Sequence, residues 1–358
     1  MTREEVKKLF ATNTKEVAIY FTIRMALSNH KTDFNVIKFT DAYSQPHRYY
    51  HTWKHIENMI MDLIDSPQAI KSNFIDDRLI IATVYHDFIY DTKLGSDGKP
   101  RHNEKLSADE FMKDWKGSVD DGKLIASLIL DTITHTPSNE LSVSLIQADL
   151  NIFNKPLDEI IEYDKQIFKE YQFVDWKNYR KGRLEVMEKL AERTKAIANY
   201  EGMTKLIEYF KSFQPKIGVF TGSFNPFHIG HQNILDKAEK VFDKVIIARG
   251  INAGKSNSDF TMLPRHLEYH QQEMYHGLVT DFLKGLDYPI TLVRGLRNAK
   301  DFNYELTMNQ YIQDINKGVG TPTTMFLCDR EFTHVSSSAI KQLPKKEQEM
   351  YLTFNNAD

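Results

Sequence analysis

Apolar residues recur at intervals of three and four along the first 210 or so positions. They do so in VKKLFATNTKEVAIYFTIRMAL (6–27), HIENMIMDLI (55–64), DDRLIIATVYHDFIY (76–90), GKLIASLILDTITH (122–135), EIIEYDKQIFKEY (159–171) and NYRKGRLEVMEKLAERTKAI (178–197). That spacing predicts helices with one buried face. No segment of this half alternates with period two, and glycine and proline fall between the segments, as at LGSDGKP (94–100). The pattern changes at FQPKIGVF, where Pro215 breaks the preceding helix. Short apolar runs follow: KIGVF (216–220), KVIIA (244–248), GLVTDF (277–282), ITLV (290–293) and TMFL (324–327). Each reads as a strand separated from the next by a helical or loop stretch, which predicts a parallel sheet covered by helices. The expected architecture is therefore two domains, an all-α domain over 1–212 and an α/β domain over 213–358, with the boundary near 211–215.

The chain has 358 residues, 41% hydrophobic and 27% charged, the balance of a soluble protein with room for two cores. A net charge of −3 gives no electrostatic case for binding bulk nucleic acid or a membrane surface. No run approaches the ~18 apolar residues that a membrane span needs. The start, MTREEVKKLFATNTKE, carries charges throughout and does not read as a signal peptide. Cys328 is the single cysteine, so an internal disulfide and a cysteine-based zinc cage are excluded. The expected compartment is the cytoplasm.

Candidate chemistry lies in both halves. RYYHTWKHIENM places His51 and His55 one helical turn apart, on one expected helix face. VYHDFIYD sets His86 and Asp87 side by side in an expected apolar helix, and QADL puts Asp149 at the end of another. THT carries His135, and HNEKLSADE carries His102 and Glu104. Imidazoles with carboxylates suit a transition metal or magnesium. A buried His–Asp pair can equally be a satisfied core contact, and Glu104 can be an acid favoured by a helix N-terminus.

In the second half, a strand, a turn with Gly222, Pro226 and Gly230, and a helix start at HQNILDKAEKVF make a phosphate site. Backbone N–H groups and the helix dipole face an anion there. His228 and His231 stand three apart in that turn. As sequence they fit three roles: metal ligands, packing or capping groups, or contacts to the phosphates of a nucleotide. LVRGLRNAKDFNYE then delivers Arg294, Arg297 and Glu305 straight after a strand, where α/β folds bind ligands. THVSSSAI brings Ser336, Ser337 and Ser338 to a helix start. GINAGKSNSDF (250–260) is small and polar, suited to an active-site loop.

The ordered motifs of the first half resemble the HD superfamily of metal-dependent phosphohydrolases. One branch carries RxYHxxxHI, HDxxYD, NExxSA, TxxH, ADL and EY, and this chain has RYYHTWKHI, HDFIYD, NEKLSA, TITH, ADL and EY in that order. The resemblance covers roughly 15–205. It implies a divalent metal (manganese, iron, nickel or magnesium) held by His55, His86, Asp87 and Asp149, with His51 and His135 behind them. It also implies water activated for attack on phosphorus, with Glu104 and His135 positioning that water or moving its proton. The phosphate ester or nucleotide attacked is unspecified.

The second half resembles the nucleotidyltransferases with a His-x-Gly-His signature, a Rossmann-like fold, and within them phosphopantetheine adenylyltransferase. That family's GTFDPxxxGH, Lys-bearing loop, FTxxxR, RGLRxxxDFxYE and FxxSSS correspond to GSFNPFHIGH, Lys255, FTMLPR, RGLRNAKDFNYE and THVSSS. The match spans about 216–343. It implies transfer of AMP from ATP, with Mg2+, to 4′-phosphopantetheine. The turn Thr221, Gly222, Ser223, Phe224 and Gly230 would hold substrate phosphates, with Ser223 on the phosphopantetheine phosphate or the α-phosphate. His231 would stabilise the pentacovalent phosphorus, Lys255 would sit between the two substrates' phosphates, and Arg294 would face the acceptor. Arg297 and Glu305 would hold ATP, with His228 and Ser336–Ser338 on its phosphates.

The sequence departs from the family at three points. His228 replaces a non-histidine residue, Asn225 replaces an aspartate, and the segment before the serines is one residue shorter. His228 admits nicotinamide mononucleotide as an alternative acceptor. A third reading is a nucleotide-binding regulatory protein with one or both sites inactive. The family's homo-oligomeric assembly is a further expectation, weakened by the short tail after Ser338.

Overall fold

The computed structural model describes residues 1–95, 101–198, 200–251, 262–315 and 321–352. Two compact units emerge. The first takes in Met1–Glu170 and Tyr179–Ser212; the second takes in Tyr171–Asn178 and Phe213–Asp358. The second unit thus includes eight residues, Tyr171–Asn178, that interrupt the first in sequence. No helix among the described residues is long and apolar enough to cross a membrane.

The first unit is helical: α1 (Arg3–Thr12), α2 (Lys15–Asn29), α3 (Val36–Tyr43), α4 (Trp53–Ile64), α5 (Pro67–Ser72), α6 (Asp77–Tyr85), α7 (Asn103–Asp114), α8 (Val119–Asp131), α9 (Glu140–Asp149), α10 (Leu157–Glu170), most of α11 (Trp176–Thr194) and α12 (Glu201–Ser212). Thr14 splits the first apolar run by capping α2, accepting from Val17 N–H. A core built from Ile23, Leu27, Ile56, Ile60, Ile80, Phe111, Ile125 and Leu145 fills the space between helices.

Two expectations about the histidines are corrected here. His51 lies before α4, in a bend, so it does not share a helix face with His55. Helix α6 ends at Tyr85, with His86 as its C-cap and Asp87 beyond it in a turn. The apolar period runs through both points, but the chain turns where Arg48 and Glu170 capture backbone groups, as described below.

The second unit holds a five-stranded sheet in the order β3-β2-β1-β4-β5, every pair parallel. Its strands are β1 (Ile217–Gly222), β2 (Lys244–Ile251), β3 (Gln272–His276), β4 (Thr291–Leu296) and β5 (Thr323–Leu327). Helices α13 (Ile229–Ala238), α14 (Val279–Gly285) and α15 (Ala299–Ile315) connect them. The expected strand at 277–282 is instead the start of α14. Val279, Phe282 and Leu283 have helical spacing, whereas the true strand, QEMYH, is an edge strand of alternating half-buried and exposed residues with no apolar run to betray it.

Lys244 opens β2 fully buried, its ammonium donating to the carbonyls of Gln172 and Val174. Tyr288 Oη donates to Asp175 at 2.9 Å, and Gln271 N–H to Gln172 O at 3.2 Å. These bonds tie Tyr171–Asn178 to the sheet.

Gly218 lies in β1 where a Cβ would sit 2.9 Å from Phe242 Cδ2 and 3.0 Å from Val293 Cγ2. Gly218→Ala should therefore overpack this core and cost about 1–3 kcal/mol of stability. Trp176 is the tryptophan of the second unit. Its emission, in a chain whose Trp53 and Trp115 are replaced by Phe, should show a lower urea midpoint for the variant. An unchanged midpoint would refute the overpacking.

Candidate active sites

In the second unit the sheet order reverses between β1 and β4: β2 and β3 lie to one side of β1, β4 and β5 to the other. Such a switch point opens a crevice at the carboxyl ends of the strands. A cavity of about 330 Å3 lies there, the size of a small-ligand site. Of the residues expected in this site, Thr221, Gly222, Phe224, His228, Gly230, His231, Arg294, Arg297, Glu305, Ser336 and Ser337 line it. Ser223 and Ser338 are exposed and are not part of the lining. Lys255 lies outside the described residues.

The two histidines close the N-terminus of α13 on each other. His228 Nδ1 accepts from His231 N–H at 3.3 Å, and His231 Nδ1 accepts from His228 N–H at 3.2 Å. Their rings stack with centroids 3.6 Å apart. Gly230 permits this, since a Cβ there would stand 3.1 Å from His228 Cε1. With both Nδ1 atoms accepting, each neutral ring carries its proton on Nε2.

Burial, and then the Arg297 charge, pushes His228 down to about 4. Burial, with His228 and Arg297 adding to it, pushes His231 well below the ordinary histidine range. The pair therefore supplies two neutral rings, each with an Nε2–H donor. That is suited to hydrogen-bonding phosphoryl oxygens and unsuited to binding a metal, which needs a free lone pair.

The arginines are held before any ligand arrives. Arg294 Nε lies 2.9 Å from Glu305 Oε2, and its Nη1 donates to Thr221 Oγ1 at 2.8 Å. Arg297 makes a forked pair with Asp301, at 2.8 and 3.1 Å, and reaches Val335 O at 3.4 Å. Burial raises Glu305, with Arg294 opposing. Ser336 caps the short helix at 337–340, and Ser337 Oγ donates to Pro226 O at 3.0 Å, joining the serine loop to the histidine turn. Sequence reasoning missed Asp301, Tyr304 and Cys328, which also line the cavity. The Asp301 signal was present as an i, i+4 spacing from Arg297.

A second cluster occupies the first unit. His55 Nε2 lies 3.1 Å from Asp149 Oδ1 and 3.8 Å from Asp87 Oδ2. His86 Nε2 lies 2.9 Å from Asp87 Oδ2 and 3.8 Å from Asp149 Oδ1. His86 Nδ1 is 2.8 Å from Thr83 O and so carries a proton, leaving Nε2 toward the carboxylates. His135 Nε2 approaches the other Asp149 oxygen at 3.1 Å. The Nε2 atoms of His55 and His86 are buried and make no hydrogen bond. The ligand atoms of His55, His86 and Asp149 lie within 4.8 Å of one another.

Two buried imidazole nitrogens and two carboxylate oxygens meet here, a donor set whose chemistry fits a divalent transition metal. Burial opposes charge on His86, but Asp87 outweighs it and lifts the ring to about 9. Burial would raise Asp87 too, and the surrounding histidines, His86 first, hold it low instead. Glu104, in the first turn of α7, is raised by burial and then by the Asp87 charge.

Two residues around this cluster went unassigned in the sequence. Arg48, buried, donates to Asp87 O, Phe88 O and His51 O at 2.7, 2.9 and 3.1 Å. Glu170, fully buried, accepts from the N–H groups of Tyr49, Tyr50 and His51 at 2.8, 2.7 and 2.9 Å.

Residues 219–343 match the cytidylyltransferase-like family. Among curated proteins, the chain is 33% identical over 135 residues to the phosphopantetheine adenylyltransferase of Rhodopirellula baltica, covering 36% of this chain and 74% of the relative. The phosphopantetheine adenylyltransferase of Clostridium botulinum strain Eklund 17B is 31% identical over 138 residues, 36% of this chain and 85% of the relative. That of Porphyromonas gingivalis is 35% identical over 136 residues, 36% and 86% respectively.

The histidine arrangement makes a direct prediction. His228 should stay neutral, protonated on Nε2 alone, until the pH falls to about 4, and His231 should also resist protonation through the ordinary range. Both groups are depressed on folding, so they cost stability as pH drops below about 6.5, where the unfolded chain takes up protons that the folded one refuses. A 15N-resolved histidine titration, assigned with single His→Gln variants, checks this. An Nδ1–H on either ring at pH 6 would contradict the arrangement.

Proposed function

Because the chain belongs, through its second unit, to the cytidylyltransferase-like family and is a relative of the phosphopantetheine adenylyltransferases, we propose that this unit transfers AMP from ATP to 4′-phosphopantetheine. The products are dephospho-coenzyme A and pyrophosphate. The observation that carries the reading is the reciprocal histidine cap at the switch point, with two Nε2–H donors beside Arg294 and Arg297. A phosphate oxygen of the acceptor attacks the α-phosphorus, the new P–O bond forms, and the bond to the β-bridging oxygen breaks. Pyrophosphate leaves with that electron pair.

His231 donates Nε2–H to an α-phosphoryl oxygen as its charge grows. The site thus works by fixed dipoles aimed at developing charge, with little covalent chemistry for the protein to do. Arg294, anchored on Thr221 and Glu305, faces the acceptor phosphate. Arg297, His228, Ser336 and Ser337 take the ATP phosphates, which arrive with Mg2+.

Purified full-length protein, given ATP, Mg2+ and 4′-phosphopantetheine, should release pyrophosphate and form dephospho-coenzyme A. His231→Ala should lower kcat by about 10²–10³-fold. Product from nicotinamide mononucleotide and none from phosphopantetheine would replace the acceptor, an outcome for which His228 is the motive. ATP binding without turnover would favour a regulatory role.

For the first unit, we propose metal-dependent hydrolysis of a phosphate ester or anhydride, in line with the HD-like order of its motifs. The orphaned Nε2 atoms of His55 and His86 support this. His55, His86, Asp87 and Asp149 would hold the cation, which supplies Lewis-acid polarisation of a phosphoryl oxygen. Glu104, whose carboxyl burial raises, and His135, 3.1 Å from Asp149, would position the water or move its proton.

The double variant His86→Ala/Asp87→Ala should lose the bound manganese, iron or nickel that the wild type retains, as measured by elemental analysis. Equal metal content would overturn the ligand assignment. A panel of nucleotides and phosphate esters offered to the wild type then identifies the substrate.

A further inference from the structure

Glu170 is the last residue of α10 and makes no contact with the four proposed ligands in the bonds described, yet five donors converge on it. One oxygen, Oε1, takes the three backbone N–H groups of Tyr49–His51. The other, Oε2, takes His51 Nδ1 and the hydroxyl of Tyr90, each at 2.7 Å. The side chain is fully buried. A carboxylate with this many donors accepts from all of them and donates to none, so the Nδ1 of His51 must carry a proton. Tyr90 stacks on the same ring, with centroids 4.2 Å apart, and Tyr50 meets it edge-on at 5.1 Å. The ring is thus fixed in plane and tautomer. Its remaining nitrogen, Nε2, lies 4.0 Å from Asp87 Oδ2.

We propose that Glu170 is the positioning residue of the first unit's site, holding His51 so that the Nε2 lone pair faces the His55–His86–Asp87–Asp149 cluster as a hydrogen-bond acceptor for the attacking water. The catalytic consequence rests on the phosphohydrolase reading above; the positioning does not. His51 sits in a bend before α4, and Glu170 is the group that bonds both its backbone N–H and its ring nitrogen. Arg48 completes the hold from the other side by taking the carbonyl of His51 together with those of Asp87 and Phe88.

Glu170→Gln separates this role from a merely structural one. The glutamine carbonyl can still accept the three N–H groups, and the Tyr90 hydroxyl can turn to accept from its amide. The amide's N–H now faces His51, which must answer with a lone pair, so the proton leaves Nδ1 for Nε2.

In the full chain labelled with 15N-histidine, with His51 assigned through His51→Gln, the wild type should show a protonated Nδ1 and Glu170→Gln an unprotonated one at pH 8. An unprotonated Nδ1 in the wild type, or an unchanged one in Glu170→Gln, overturns the proposal. Hydrolysis of p-nitrophenyl phosphate with added manganese should fall about 10–100-fold in Glu170→Gln, with bound metal and adenylyl transfer unchanged. The double variant Glu170→Gln/His51→Gln should be no slower than His51→Gln alone, because Glu170 acts through His51. Additive losses would overturn the proposal. A wild type that hydrolyses no phosphate at all would defeat the phosphohydrolase reading, and the tautomer measurement would still decide the positioning.

Discussion

The cost of taking charge out of water governs both sites, with opposite outcomes. In the second unit two histidines are buried beside an arginine and have no carboxylate to answer them, so they remain neutral. Neutrality is what lets each ring spend Nδ1 on a helix cap and keep Nε2–H as a donor. In the first unit the same residue type is buried among carboxylates, and each Asp is held ionised by the imidazoles around it. The one arrangement offers N–H donors to an anion. The other gathers imidazole nitrogens and negative oxygens, a donor set that suits a cation able to displace a ring proton. Histidine does both because its two nitrogens can be assigned separately by their neighbours.

The parallel sheet is what brings the nucleotide site together. Gly222 at the end of β1 and Arg294 in β4 are separated by some seventy positions in sequence, yet β1 and β4 are paired neighbours. The reversal of strand order between them leaves the start of α13 facing open space at the sheet's carboxyl edge. Arg297 and Asp301 then cross at the entry to α15, and Ser337 bonds to Pro226. The site is therefore stitched together before ligand binds, the preorganisation that electrostatic catalysis needs.

Much of this was legible in the sequence, for identifiable reasons. The strand–turn–helix at 216–235 is local, and a local pattern survives folding. The four proposed ligands of the first unit could be named as residue types in order. What sequence could not supply was direction. His51 and His55 have the spacing of helix neighbours, and only the capture of three N–H groups by Glu170, some 120 positions away, shows that the helix has not begun. β3 was invisible because an edge strand need not be apolar, and the more apolar stretch beside it is a helix. Ser223 and Ser338 show the converse: motif membership does not put a side chain in the cavity.

The interruption of the first unit by Tyr171–Asn178 has a bearing on how such a chain can be inherited. A protein assembled from two independent modules would be divisible by one cut, and either piece could be traded for another. Here the cut at 212/213 would strip the sheet of the backbone carbonyls that receive the Lys244 amine, whose burial already lowers it to about 7, leaving a buried polar group without its acceptors. The sheet unit has come to rely on a stretch that the helical part's gene segment encodes. Recombination at the apparent boundary is thus penalised at the level of folding.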